Sequence, residues 1–199
     1  MTRARDNADL GDSFGVLGSG VTGGSGLNAV DGTITHHDFW AANASTSGQV
    51  NPITAWARGV ETAGWGRINE SEPMTLSSGI FTFPATGFWE VFGHFWIRCD
   101  TTYDAGIQSY LHVTLNNDSY LPISSTTSCA NEFSVTMGRN DLANNVAAVV
   151  KVADTSTTKV KFVHWPGNTS TDYTLGTSVL SGTTAYPLTY CSFKRIGDI

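Results

Sequence analysis

At 199 residues, the chain is long enough for one large domain or two small ones, and it can bury a core without a disulfide or metal staple. Only 14% of its residues are charged, and Ser, Thr, Asn and Gly are frequent, a composition that favours β structure over helical bundles. The net charge of −6 argues against nucleic acid and anionic membranes as partners, because an acidic surface repels phosphate.

The first 32 residues predict an N-terminal arm with a Gly-rich linker. Thr2–Leu10 is long enough for a turn or two of helix but too short to be stable alone in water. Gly11 to Gly32 has the composition of a flexible linker. The alternatives are a frayed terminus and an arm that docks on a partner surface, and we favour docking. The opening residues also lack the apolar stretch of a signal peptide, so no secretory leader is expected.

The remaining residues, 33–199, predict one domain of short strands, because turn signals recur at short intervals and no long helical period appears. Asp141–Asn145 is the one segment for which we predict a helical turn. The strand number and spacing are typical of a jelly-roll-like two-sheet antiparallel β-sandwich. The candidate strands are Thr33–Trp40, Gly64–Ile68, Gly79–Phe83, Phe88–Arg98, Gln108–Leu115, Tyr120–Ser124, Glu132–Met137, Val146–Val152, Lys159–Trp165 and Leu188–Arg195.

The strand predicted over Phe88–Arg98 is the most informative segment. Its odd-numbered positions are uniformly apolar and should face the core: Trp89, Val91, Gly93, Phe95 and Ile97. The opposite face mixes aromatic rings with charge, in Phe88, Glu90, Phe92, His94, Trp96 and Arg98. The outward face of an antiparallel sheet is normally polar, so this mixture is typical of a protein–protein interface. Self-association and cover by a loop or the arm of the same chain are the two hypotheses. Glu90 is expected to pair with a neighbouring His or Arg.

Several segments of the body are similar to the globular heads of the complement and tumour-necrosis-factor-like family. They are FTFPATGFWEVFGHFWIR, QSYLHVTLNN, VAAVVKVADTSTTKVKFVHW and LTYCSFKRIGD. Pro84, Gly87 and Phe88 match the turn that enters the family's long central strand, whereas Ala153-Asp154-Thr155 departs from its usual Gly-Asp turn. The resemblance implies a homotrimer packed around the inner sheet. The trimer interface would then contain Phe88, Phe92, His94 and Trp96, with the last three pointing towards the three-fold axis.

The opening segment RARDNADLGDS resembles the first residues of virion and tail-fibre-like proteins from tailed phages of marine bacteria. The resemblance implies a location in the virion. The side chains of Arg3, Arg5, Asp6 and Asp9 form a zwitterionic stretch that could pair across the surface of other virion proteins. These four residues are therefore the predicted virion-docking residues.

No catalytic motif, metal site or cofactor is predicted, and we expect no enzymatic activity. Adjacent His36 and His37 would point to opposite faces of a strand and could not chelate one ion together. The most apolar region, Ile80 to Ile97, contains Pro84, Glu90 and His94, so no membrane insertion is expected either.

Two polar segments are the predicted ligand loops, because Tyr beside short hydroxyl and amide side chains suits sugars. One is Asp100–Gly106, with Tyr103 and Asp104, and the other is Pro166–Thr184, with Asn168, Asp172 and Tyr173. A host surface glycan is their candidate partner. The leading hypothesis is a homotrimeric phage knob acting as a tail-fibre-type host adhesin. The alternatives are a capsid decoration or head-fibre protein and, from another class, a carbohydrate-binding module or an unrecognised hydrolase.

Overall fold

Twelve strands and no helix make up the residues that the computed structural model describes, which are 34–59, 72–99, 104–130, 140–166, 173–175 and 188–199. No helix long and apolar enough to cross a membrane occurs in these ranges. The strands are β1 (His37–Ala42), β2 (Thr46–Ser47), β3 (Trp56–Arg58), β4 (Thr75–Ser77), β5 (Ile80–Thr82), β6 (Gly87–Cys99), β7 (Asp104–Thr114), β8 (Leu121–Ala130), β9 (Asn140–Val152), β10 (Lys159–Pro166), β11 (Tyr173–Leu175) and β12 (Tyr190–Gly197).

The strands form two antiparallel sheets that share one core. The seven-stranded sheet has the order β2-β11-β6-β12-β1-β3, and β9 pairs with the other edge of β6. The five-stranded sheet has the order β4-β5-β10-β7-β8. Because the chain passes back and forth between the sheets, sequence neighbours such as β6 and β7 lie in different layers. The predicted jelly-roll-like β-sandwich is therefore confirmed.

The core is filled by the inward faces of both sheets. Along β6, Trp89, Val91, Phe95 and Ile97 are fully buried, as the two-residue period of a strand requires. Each such side chain contributes about 1.5–3 kcal/mol on burial. A cluster of rings lies between the sheets and joins them: Phe81, Phe95, Phe162 and Phe193, with centroid distances of 4.8–6.3 Å. Cys191, on β12, is a buried free thiol as predicted, and burial raises its pKa.

The helical turn predicted at Asp141–Asn145 is wrong. These residues belong to β9, which pairs with β6 over its whole length, from Val152 opposite Gly87 to Asn140 opposite Cys99. The polar Asn144 is fully buried there, and its amide Nδ2 donates to the Ile107 carbonyl at 3.1 Å and to Ser109 Oγ at 3.2 Å. Cross-strand pairing and these hydrogen bonds override the weak local preference of the segment.

Most strand boundaries differ from the predicted ones by a few residues, and some strands were missed. The prediction omitted the short strands β2, β3, β4 and β11 and ended β8 too early, at Ser124 instead of Ala130. The strands predicted at Gly64–Ile68 and Glu132–Met137 lie outside the described residues.

Candidate assembly surface

The outward face of the seven-stranded sheet carries the aromatic residues that the sequence singled out. Phe88, Phe92, His94 and Trp96 are all half-buried on the same side of β6. Residues opposite one another in adjacent strands share a face, so the register of the sheet shows which side chains surround them. One row across the sheet is Ala41–Tyr190–His94–Asn145, the next is Phe39–Ser192–Phe92–Ala147, and the third is His37–Lys194–Glu90–Val149.

Tyr190 is the centre of this face. Its ring stacks on His94 with a centroid distance of 5.0 Å and on Phe39 at 5.3 Å, and it lies 6.0 Å from Phe92. His94 Nδ1 is also within hydrogen-bonding distance of Asn145 Oδ1, at 2.6 Å. Stacking and this hydrogen bond hold the imidazole on the sheet surface. The side chains therefore form a continuous, positioned aromatic surface, and the sequence alone did not indicate the contribution of Tyr190.

Two of the charges on the face pair with each other. Glu90 lies opposite Lys194, and the Lys194 Nζ donates to Glu90 Oε1 at 2.9 Å. The expectation that Glu90 pairs with a His or Arg is therefore wrong, because its cross-strand neighbour on β12 is a lysine. An exposed pair of this kind contributes about 0.2–1 kcal/mol to stability. Its main effect is to leave this part of the face without net charge.

An apolar edge adjoins the aromatic face. Val149 of β9 is 59% exposed at the margin of the seven-stranded sheet, and Leu121 and Ile123 of β8 are 67% and 41% exposed. Hydrogen bonds that involve side chains, and not a backbone ladder, join β8 to β9. The Ala147 N–H donates to Ser124 Oγ at 3.2 Å, and Thr126 Oγ1 donates to the Asn145 carbonyl. Each chain therefore presents a broad aromatic face and, beside it, a narrow apolar edge.

The His36-His37-Asp38 segment has a structural role, and no group of three or more metal-ligating side chains occurs among the described residues. The His36 ring packs on Trp89 with a centroid distance of 5.5 Å. Asp38 is buried and accepts hydrogen bonds from Arg58 Nε at 2.7 Å and from the Met74 backbone N–H at 3.0 Å. The carboxylate thereby ties β1 to β3 and to the segment before β4.

The two ends of the sandwich differ in what they carry. Ile34, the first described residue, lies near the start of β6, because the Arg195 N–H donates to the His36 carbonyl at 3.0 Å and Arg195 pairs with Trp89. The opposite end, about 40 Å away along the thirteen residues of β6, holds Asp104 and Tyr173. Asp104 pairs with Ala130, and Tyr173 pairs with Cys99.

The predicted ligand loops are thus partly strands. Asp104 begins β7 and Tyr173 begins β11, so both belong to sheets and not to loop tips. Pairing with β6 explains β11, since the three residues YTL are too few to indicate a strand by themselves. The other candidate ligand residues, Tyr103, Asn168 and Asp172, lie outside the described residues, as do the predicted docking residues Arg3, Arg5, Asp6 and Asp9.

No protein-family model matches the chain, and no curated protein sequence matches it. Solved structures do. The Eiger TNF from S. frugiperda matches with a TM-score of 0.56 at 13% identity, covering 84% of this chain and 96% of that one. Murine APRIL at pH 5.0 matches with a TM-score of 0.52 at 10% identity, covering 80% of this chain and 98% of that one. At such low identity these matches show the fold, and they confirm a TNF-like jelly roll for the body.

Proposed function

We propose that the chain is a phage virion structural protein: a homotrimeric jelly-roll knob that is anchored by its N-terminal arm and binds the host as a tail-fibre-type adhesin. It would act by binding and not by catalysis. The observation that carries the proposal is the aromatic face around Tyr190, with the exposed apolar edge at Val149 beside it. The virion location rests on the resemblance of the opening residues RARDNADLGDS.

The placement of face and edge favours a ring. A contact between two different surfaces of identical chains is heterologous, and it closes into a ring when the rotation between neighbours allows. Here the edge formed by Leu121, Ile123 and Val149 would pack on the aromatic face of the next protomer. Any closed ring satisfies every face and every edge, and the number three comes from the trimer that the family resemblance implies.

The ends of the sandwich fit a tethered knob. The arm would continue from Ile34 at one end, and the ends of β6 and β10 and the start of β7 lie at the other. Residues remote from a tether are free to meet a host surface, while the strands supply rigidity. This arrangement supports an adhesin better than a protein that lies flat on a capsid.

The test of assembly uses one variant for each surface. We expect the wild type to sediment at micromolar concentration with three times the 21.3 kDa chain mass. Trp96→Glu on the face and Val149→Glu on the edge should each give monomers, because each contact would bury an unpaired carboxylate at a cost of about 3–5 kcal/mol. Thr75→Glu, exposed on β4 at the edge of the five-stranded sheet remote from β8, is the matched control and should stay trimeric.

Mixing the two variants makes the test sharper. If the contact joins a face to an edge, a Trp96→Glu protomer keeps an intact edge and a Val149→Glu protomer keeps an intact face. Their mixture should therefore form heterodimers held by one intact contact. Monomeric wild-type protein at high concentration would overturn the proposed trimer.

The virion assignment is tested separately by deleting residues 1–32. The truncated chain should keep its melting temperature and its assembly but should be absent from purified particles. Labelling the full chain in particles by immunogold would then place it on the tail, as proposed, or on the capsid, which would favour the decoration alternative.

A further inference from the structure

The outward face of the five-stranded sheet carries a second group of aromatic residues. Trp165 of β10 is 46% exposed, although large apolar side chains are uncommon on a solvated sheet face. Its cross-strand partner is Gln108 of β7, and two residues further along β7 stands Tyr110. Because Phe162 on β10 and Leu111 on β7 face the core, these three side chains point away from it.

The same face continues to a basic end. His112 lies opposite Lys161, and the Lys161 Nζ sits 4.3 Å from the centre of the Tyr120 ring. The Tyr110 and His112 rings meet edge to face with a centroid distance of 5.7 Å. The strip from Trp165 to Lys161 spans four residues of β10, or about 13 Å. It is long enough for several linked sugar units.

The charge of this strip has one sign. β8 and β10 contain no acidic residue, and β7 contains only Asp104, at its first position. Lys159 and Lys161 both belong to the outward face of β10, in a chain whose net charge is −6. Burial, and to a smaller extent the charge of Lys161, lowers the pKa of His112, so the imidazole is a neutral hydrogen-bonding group beside a cation at neutral pH.

The geometry points to an anionic polysaccharide as the ligand of this face, with Trp165 and Tyr110 stacking on sugar rings, Gln108 and His112 bonding hydroxyls, and Lys161 binding a carboxylate or sulfate. Sugars combine an apolar ring face with a hydrogen-bonding rim, and this strip alternates aromatic rings with an amide, an imidazole and an ammonium group. The inference rests on the proposed adhesin function and specifies its ligand class and site.

The two sheets would then serve different purposes. Their outward faces lie on opposite sides of the sandwich, and the proposed ring is closed through the aromatic face and the edge at β8 and β9, so Trp165 on β10 stays outside the contact. Trp165 also lies near the end of the sandwich remote from Ile34, because Pro166 pairs with Ile107 at the start of β7. A polysaccharide could therefore reach it while the arm is attached elsewhere.

Binding is tested with purified polysaccharides and the full chain. Polygalacturonate, dextran sulfate and neutral dextran of matched length would be titrated while tryptophan fluorescence is recorded. We expect polygalacturonate or dextran sulfate to bind and neutral dextran not to bind. Because polygalacturonate carries carboxylates and dextran sulfate carries sulfates, the comparison shows which anionic group is recognised. Trp165→Ala should weaken binding about 3- to 10-fold and remove most of the fluorescence change, as loss of one stacking contact predicts.

The variants separate stacking from general attraction of a polyanion. Lys161→Gln should weaken binding about 10-fold, the usual effect of losing a hydrogen bond to a charged group. Leu115→Ala, also exposed and apolar but outside both the strip and the assembly edge, is the control for Trp165→Ala and should bind like the wild type. Equal binding by a folded Trp165→Ala variant, equal binding of neutral dextran, or no binding of any of the three polysaccharides would overturn the inference. Cell binding that persists without polysaccharide binding would overturn this site and leave the adhesin proposal intact.

Discussion

Gly93 offers the sharpest test of how the core supports the aromatic face. It lies on the core side of β6, between Val91 and Phe95, and a Cβ there would come within 2.8 Å of the Phe162 ring and 2.9 Å of the Phe95 ring. Phe162 is fully buried and lies within about 6 Å of Phe81 and Phe95, so it has little room to move. Gly93→Ala should therefore overpack the core.

The magnitude follows from two opposing effects. Overpacking a tight core costs about 1–3 kcal/mol, whereas Gly→Ala at a compatible backbone conformation stabilises by about 0.4–1 kcal/mol. The net loss should be about 1–2 kcal/mol, which corresponds to a melting temperature lower by about 2–8 °C for a domain of this size. Urea unfolding followed by tryptophan fluorescence gives the free energy, and sedimentation shows whether the displaced strand also weakens assembly.

Two comparisons isolate the clash. Gly106→Ala is the matched control, because its Cβ would contact only Thr127 Cγ2, at 3.9 Å. This substitution should not destabilise the domain. In a Phe162→Leu background, Gly93→Ala should cost at least about 0.5 kcal/mol less than in the wild type, since contacting residues are coupled. A Gly93→Ala protein as stable as the wild type would refute the packing argument.

Three further outcomes follow from the described contacts. Asp38→Ala should destabilise by about 2–3 kcal/mol in urea unfolding, because Arg58 and the buried Met74 N–H lose their acceptor; an unchanged midpoint would contradict this. The Cys191 thiol, buried and with a raised pKa, should resist iodoacetamide until the domain unfolds, and peptide mapping of the labelled native protein checks it. Burial and Lys161 lower the pKa of His112 below 6.5, so the unfolded state binds more protons than the folded state. The free energy of unfolding should therefore fall as the pH drops below about 6.5. His112→Gln should remove this component from the pH profile of stability.

The central strand was predictable because its pattern is local. Every odd-numbered position from Trp89 to Ile97 is apolar or glycine, and this two-residue period can be recognised without knowing the partner strands. An outward face with two Phe and a Trp already departs from the polar norm, so the unusual surface could be located from the sequence. The structure then places all of these side chains where the alternation predicts.

The partners of that strand were not predictable in the same way. Tyr190 meets His94 only because β12 pairs with β6 across nearly a hundred residues of sequence, and register of this kind depends on the whole core. The same reason explains the error at Asp141–Asn145, whose buried Asn144 is satisfied by β7 and β8. The strip around Trp165 was missed because neither QSYLH nor KFVHW alternates cleanly between polar and apolar residues, so neither segment alone shows which side chains face outward.

The two outward sheet faces differ in the free-energy cost of burying them in a protein–protein contact. On the seven-stranded sheet, Glu90 and Lys194 neutralise each other, and the rings around Tyr190 already contact one another, so association removes mainly apolar surface from water. On the five-stranded sheet, burial against a second copy of the same face would bring Lys161 and its equivalent together without a carboxylate from β8 or β10 to pair with them. Desolvating unpaired cations costs several kcal/mol each. Self-association is therefore favoured through the first face, and the second is better suited to a ligand that supplies the missing negative charge.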